Sequence, residues 1–244
     1  MTAPRTDEAD PGRVRRDGAS YPLDMGILGV VSACVIALQI VLVRSLSIST
    51  YHHFVYLVVS TALLGFGASG TLLALLGERN TAVYPWLSLS ALCLFSISAP
   101  WALRLSAIVP VDLYYLLYEL SEAGNLWLST LVLVVPFFAG GLFVGAVLRR
   151  HRGRAGSTYA ANLAGSGVGG VIVLPALYIA DPEPLAALVG IVAAVGALLW
   201  ALGHRAVPTR TGVTAGVLAL LVASLALLPW EHPVDQYKGL AFAR

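Results

Sequence analysis

The stretch YAANLAGSGVGGVIVLP, Tyr159 to Pro175, decides how this chain is read. It lies inside an uncharged run from Ala155 to Ala180, long enough to cross a bilayer as a helix. Its small residues recur at every fourth position: Ala161, Gly165 and Gly169 form one stripe, and Ser166 and Gly170 the neighbouring one. Hydrocarbon gives no hydrophobic drive between helices, so they associate where missing side chains let backbones approach closely. The run is expected to span the membrane and to be the packing centre of a helical bundle. Gly165-Ser166-Gly167-Val168-Gly169-Gly170 also satisfies G-x-G-x-x-G, with Glu183 lying 18 residues after Gly165. A dinucleotide site needs such glycines between a strand and a solvated helix start. Here they sit well inside an apolar run, which assigns them to helix packing and implies no cofactor.

The whole chain has the composition of that run. Hydrophobic residues make up 58% and charged residues 11%, and mean hydropathy is +0.81. Soluble domains carry about 45–50% apolar and about 25% charged residues, so this is an integral membrane protein. A net charge of +2, with the basic residues dispersed among loops, gives no footprint for nucleic acid. Cys34 and Cys93 both fall within apolar runs, so free thiols are expected, without a disulfide framework or metal-ligand spacing.

Charges divide the chain into an all-α, multi-pass pattern. Residues 1–24 mix four arginines with five acids and are expected to form a disordered cytoplasmic tail. Seven spans are predicted at 25–43, 54–77, 80–103, 126–148, 158–180, 184–203 and 211–230. The membrane domain thus covers 25–230, followed by an extracytoplasmic tail or linker at 231–244. The segment 106–122 places Leu113, Leu116, Leu117 and Leu120 on one helical face, and is predicted to be an interfacial amphipathic helix at the outer surface. With the N-terminus inside, cytoplasmic segments hold Arg5, Arg13, Arg15, Arg16, Arg79, Arg149, Arg150, Arg152, Arg154, Arg205 and Arg210. The outside keeps Arg44, Arg104, Lys238 and Arg244. The positive-inside rule therefore predicts N-in, C-out in a cytoplasmic membrane.

Few polar residues are candidates for contact with a ligand. Gln39 lies near the outer end of the first span, and Arg44 follows where it can snorkel to the interface. His52 and His53 precede the second span; adjacent helical positions diverge by about 100°, so the two cannot chelate one metal together. Gly65, Gly67, Ser69 and Gly70 make the second span a further close-packing helix. Tyr159 and Asn162 enter the fifth, and Pro136 interrupts the fourth. Asp, Glu, Lys and Arg are absent from the middle of every predicted span, which argues against a proton relay or cation carrier. Nucleophile elbow, zinc-protease and P-loop patterns are missing too, so no catalytic and no metal-binding residue is expected.

Four segments nevertheless suggest a family: QIVLVRSLSI at 39–48, YHHFVYLVVSTALLGFGASGTLLAL at 51–75, PFFAGGL at 136–142 and RAGSTYAANLAGSGVGG at 154–170. Together they resemble the membrane region of bacterial spermidine synthase-like proteins, in which several spans precede a polyamine aminopropyltransferase-like domain. QYKGLAFAR, from Gln236, looks like the linker into that domain. Where that family carries Tyr-Ala-Ala-Asp, this chain has Asn162 in place of the acid. The family's nucleotide-binding glycine loop and amine-binding acids have no counterpart in these residues, so none of its catalytic residues carries over. The resemblance implies a non-catalytic module that anchors or partners a separately supplied synthase-like domain. A small-molecule transporter or binding protein, with a cavity near Gln39, His53, Tyr159 and Asn162, is the alternative. A third reading puts chemistry at the outer surface on His52, His53, Asp112 and Glu119. Expected partners are the lipid bilayer, a second copy of the chain and a separate synthase-like protein, with no nucleic acid.

Overall fold

The computed structural model describes residues 11–49, 54–77, 83–108, 120–204 and 207–228. These form seven α-helices with no strand among them: α1 (Pro11–Ser49), α2 (Phe54–Leu76), α3 (Tyr84–Ile108), α4 (Leu120–Arg150), α5 (Ala155–Ile179), α6 (Pro182–Gly203) and α7 (Thr209–Leu225). A single 3-10 turn, Arg152–Arg154, joins α4 to α5. Six of the helices, α1 to α6, are long and apolar enough to cross a membrane. α7 has 17 residues, or about 26 Å at ~1.5 Å per residue. In hydrocarbon every backbone amide needs a partner within its own segment, and the helix supplies one residue by residue. Pro22, Pro100, Pro136 and Pro175 all lie inside continuous helices.

α1 holds the bundle together. It packs against α5 and α6 most extensively, and also against α2, α3 and α4. α3 packs on α4, α6 and α7, and α2 leans on α4. Leu28, Leu38, Leu42, Leu92, Phe95, Phe137, Phe143 and Trp200 are fully buried between them.

α5 is therefore not the packing centre expected of it. Only 17% of its apolar window is buried, against 61% in α4 and in α6. Val171, Ile172, Tyr178 and Ile179 are exposed where lipid would lie. Its one covered stripe meets α1 backbone to backbone: a β-carbon on Gly165 would fall on the backbone of Gly29, and one on Gly169 on that of Ala33. Ala161 is half-buried on the same stripe. Ser166 is half-buried beside it, and Gly170 has room to spare, with Ile36 Cγ2 at 3.8 Å. A stripe of small residues specifies one close neighbour, which is a different requirement from centrality.

The second-span glycines divide in the same way. A β-carbon on Gly65 would meet Phe138 N at 2.7 Å and Phe137 Cβ at 2.8 Å, whereas Gly67 and Gly70 face open space, contrary to the packing role expected of them. The closer fit comes from α4, where Gly141 admits Ser69 and Phe66 of α2. Gly140 admits Val35 of α1.

The N-terminal segment differs from expectation as well. α1 begins at Pro11, so helix takes in residues 11–24 that the sequence reading assigned to a disordered tail. Charge alone does not end a helix, and the uncharged stretch underestimates this one by more than three turns. The interfacial helix expected at 106–122 falls mostly on residues outside those described, as do residues 1–10 and the tail at 231–244.

Substituting Gly165 by Val is expected to destabilise the protein by about 2–3 kcal/mol, because the obstructing atoms are backbone and cannot rotate away. Gly167→Ala meets no atom within 4 Å, and should be neutral or stabilising by up to ~1 kcal/mol. Equilibrium unfolding of the two variants in the same lipid or detergent checks the difference.

Candidate functional site: a buried carboxylate between two histidines

The buried face of α1 repeats at spacings of four and three: Leu28, Val31, Val35, Leu38 and Leu42 all have 0–2% of their surface exposed. One turn before Leu28 the same stripe reaches Asp24, whose side chain is fully buried. An isolated carboxylate in such a place is prohibitively costly, so it must be paired and hydrogen-bonded. The partners come from the ends of two other helices. His151, just after α4, brings Nε2 within 2.7 Å of Asp24 Oδ2. His204, just after α6, brings Nε2 within 3.1 Å of Oδ1. Arg150 Nε lies 3.8 Å from Oδ2.

Each of these groups is held from behind. The His151 amide is bonded to Val147 O, and its carbonyl accepts from Arg154 N, so the turn after α4 fixes the ring's origin. Tyr21 meets the His151 ring edge-on with centroids 5.0 Å apart. The Tyr21 hydroxyl lies 2.7 Å from Ser157 Oγ, and Arg154 covers the Tyr21 ring at 4.7 Å. His204 stacks on Trp200 at 3.8 Å with 16° between the rings. Its Nδ1 lies 3.1 Å from Trp200 O. Trp200 is itself wedged between Phe143 and Tyr84, at 5.4 and 5.8 Å. Arg150 lies over the Tyr84 ring at 4.7 Å and reaches Ser20 Oγ at 3.5 Å. α1, α3, α4 and α6 thus converge on a single carboxylate.

The approach of His204 Nε2 to Asp24 Oδ1 is close enough for an ion pair, yet neither atom has a hydrogen-bond partner. Both observations hold together if the contact is coulombic and lies off the hydrogen-bond direction. Asp24 and Arg104 each fall one residue outside the spans predicted at 25–43 and 80–103, yet both side chains are buried within the bundle. Arg104 is 5% exposed within α3 and donates Nη2 to Ala226 O at 2.5 Å and to Leu228 O at 2.7 Å. With Trp101 Nε1 donating to Val222 O at 3.2 Å, it ties the end of α7 to α3. A cation at a helix C-terminus is favoured there by the exposed carbonyls.

The residues singled out from sequence are scattered. Asn162 is half-buried and its Oδ1 lies 2.7 Å from Ser32 Oγ, which also lies 2.7 Å from Leu28 O. One hydroxyl hydrogen serves only one of these acceptors at a time. Ser69 is buried and donates to Phe66 O within its own helix. Gln39 is half-buried and Tyr159 exposed. Arg44 is exposed beside a groove of about 230 Å³, lined by Ile40, Val43, Ser47, Leu174, Leu177 and Tyr178. His52, His53, Asp112 and Glu119 lie outside the described residues. Of the residues expected around a cavity, Gln39, Tyr159 and Asn162 lie on α1 and α5, and His53 lies outside the described residues. Cys34 is buried and Cys93 half-buried, both as free thiols. Among the described residues no three His, Cys, Asp or Glu side chains are arranged to hold a metal ion.

Sequence reading missed Asp24, His151, His204, Tyr84 and Trp200 as one unit. The available signal was the four-three stripe of α1, which continues through Asp24 without a break in phase. Compared with protein-family models, with curated proteins and with solved structures, the chain matches none.

Asp24→Ala is expected to cost about 3–5 kcal/mol, because it removes the one buried carboxylate that Arg150 and the two imidazoles share. Replacing Asp24, His151 and His204 together by apolar residues should recover much of that loss. Unfolding midpoints of the single and triple variants measure the difference.

Proposed function

We propose that this chain is a non-catalytic membrane module. In this reading it crosses a cytoplasmic membrane seven times, N-in and C-out, and anchors or partners an aminopropyltransferase-like domain carried on another polypeptide. The observation that carries the scaffold reading is the use made of the buried ionisable groups. Asp24, more than three turns inside α1, meets Arg150, His151 and His204 from the ends of α4 and α6, and none of the four lines the groove beside Arg44. The contacts that hold them are with one another and with neighbouring helices, which supports a scaffold role for them. The motif resemblance supports the choice of partner.

Charge supports the orientation. Arg149, Arg150, Arg152 and Arg154 cluster at the end of the bundle where Asp24 is buried, while Arg44 and Arg104 lie toward the other. The first of these ends is the cytoplasmic one under the positive-inside rule. α7, though short, supports a seventh crossing, since its last carbonyls reach Arg104 near the C-terminal end of α3.

Alkaline phosphatase, which is active only outside the cytoplasmic membrane, reports the topology. Fused after Leu228 it is expected to be active, and inserted after Gly153 inactive; the reverse pattern would sink the orientation. For the function, cross-linking in native membranes should recover an aminopropyltransferase-like polypeptide joined to this chain. Purified chain in proteoliposomes should leave radiolabelled putrescine outside. Uptake of putrescine that is lost in Asn162→Leu would instead establish the transport reading.

A further inference from the structure

α1 and α5 run side by side in the same direction, with Gly29 opposite Gly165 and Ala33 opposite Gly169. The stripe of α5 that makes this contact continues at every fourth position through Val173 and Leu177. Glycine thus gives way to branched side chains, which hold two backbones apart. Between the helices at this level lies the groove of about 230 Å³. α1 contributes Ile40, Val43, Arg44 and Ser47, which share one helical face. α5 contributes Leu174, Leu177 and Tyr178 in the same phase.

The groove is graded along its length. Ile40 and Leu174 lie at its deeper end, and Arg44, Ser47 and Tyr178 toward the helix ends at Ser49 and Ile179. Helices that cross a bilayer reach the headgroups at such ends, where arginine and tyrosine are favoured.

The fold makes no use of the charge on Arg44. Among the described residues the ion pairs gather on Asp24, at the far end of the bundle, and none involves Arg44. Arg104, the other described arginine at this end, is buried and donates to Ala226 O and Leu228 O. Arg44 is exposed. The Ser47 hydroxyl donates to Arg44 O at 2.9 Å, which leaves the guanidinium and the exposed Tyr178 hydroxyl as donors at the polar end of the groove.

We propose that this groove binds one anionic phospholipid from the leaflet at this end of the bundle. Its acyl chain runs along Ile40, Val43, Leu174 and Leu177, and its phosphate rests on Arg44. The occupant must join an apolar tail to an anion rich in acceptors, and a phospholipid has both in that order. A planar guanidinium offers two parallel N–H donors to two phosphate oxygens. Inorganic phosphate would leave the apolar walls uncovered. A zwitterionic lipid would bring a second cation beside Arg44, so charge complementarity selects a headgroup of net negative charge. The site is independent of which polypeptide the module partners.

The test uses the full chain in phosphatidylcholine vesicles that hold a small fraction of phosphatidylglycerol with a photoreactive diazirine in its acyl chain. After irradiation, peptide mass spectrometry is expected to find label concentrated on Ile40, Val43, Leu174 and Leu177. Arg44→Gln should lower that labelling roughly fivefold. Arg210→Gln, which changes an exposed arginine at the start of α7, should leave it unaltered. Leu174→Trp fills the groove with Arg44 in place and should lower it too; Arg44 and Leu174 are both exposed, so neither change threatens the fold. Unlabelled phosphatidylglycerol should displace the probe, whereas displacement by inorganic phosphate would make this a phosphate site and overturn the proposal. Label spread evenly over the exposed faces of α2 and α5, or undiminished in Arg44→Gln, signifies bulk lipid only and overturns it. A phosphatidylcholine probe that labels the groove equally well removes the anionic preference and has the same effect. Leu174→Cys treated with a bifunctional maleimide should yield single chains; chains joined through position 174 would put a second copy on the groove in place of lipid.

Discussion

A carboxylate buried in an apolar bundle sets the terms for everything around it. Asp24 cannot be left in contact with hydrocarbon or apolar side chains alone, so the ends of α4 and α6 must arrive with donors and positive charge, and must arrive in register. Apolar surfaces in lipid slide past one another at little cost, since lipid tails solvate them as well as leucine does. The polar cluster is what gives these helices a defined axial position. Trp200, Phe143 and Tyr84 then fill the space behind it, so that aromatic packing and ion pairing fix the same arrangement.

The two ends of the bundle solve the same problem in opposite ways. At one end a buried carboxylate, Asp24, collects Arg150 and two imidazoles from the ends of neighbouring helices. At the other a buried cation, Arg104, collects carbonyl oxygens from the end of α7. Between them the close approaches are made by absent side chains: Gly165 and Gly169 against α1, and Gly140 and Gly141 of α4 against α1 and α2. Polar contacts at the two ends and glycine contacts between them thus divide the work of holding the helices together.

Much of this architecture was legible in the residues. Long uncharged runs identify helices because hydrocarbon leaves the backbone no other partner, and the all-α bundle follows. The four-residue spacing in α5 identifies a close contact, but spacing alone does not say which helix receives it or how many others surround the pair. α5 proved peripheral for that reason. Asp24 was misread because charge was taken as the boundary of a span, whereas a charged residue at the right helical phase can face inward if other helices bring its partners. Those partners lie 127 and 180 residues further along, and no local pattern joins them. Gly67 and Gly70 failed for a related reason: glycine is common in membrane helices, and only the neighbour decides whether its missing side chain is used.

The hydrogen bonds from Arg104 to Ala226 and Leu228 join groups more than 120 residues apart, with α7 the last helix of the described chain. A ribosome releases the guanidinium long before the carbonyls that receive it. During biogenesis, then, the third helix is made before these two acceptors exist, and α7 later brings them to it. Chain growth thereby imposes an order on assembly: the seam between these two helices cannot close until α7 has been made, however early the third helix is in place.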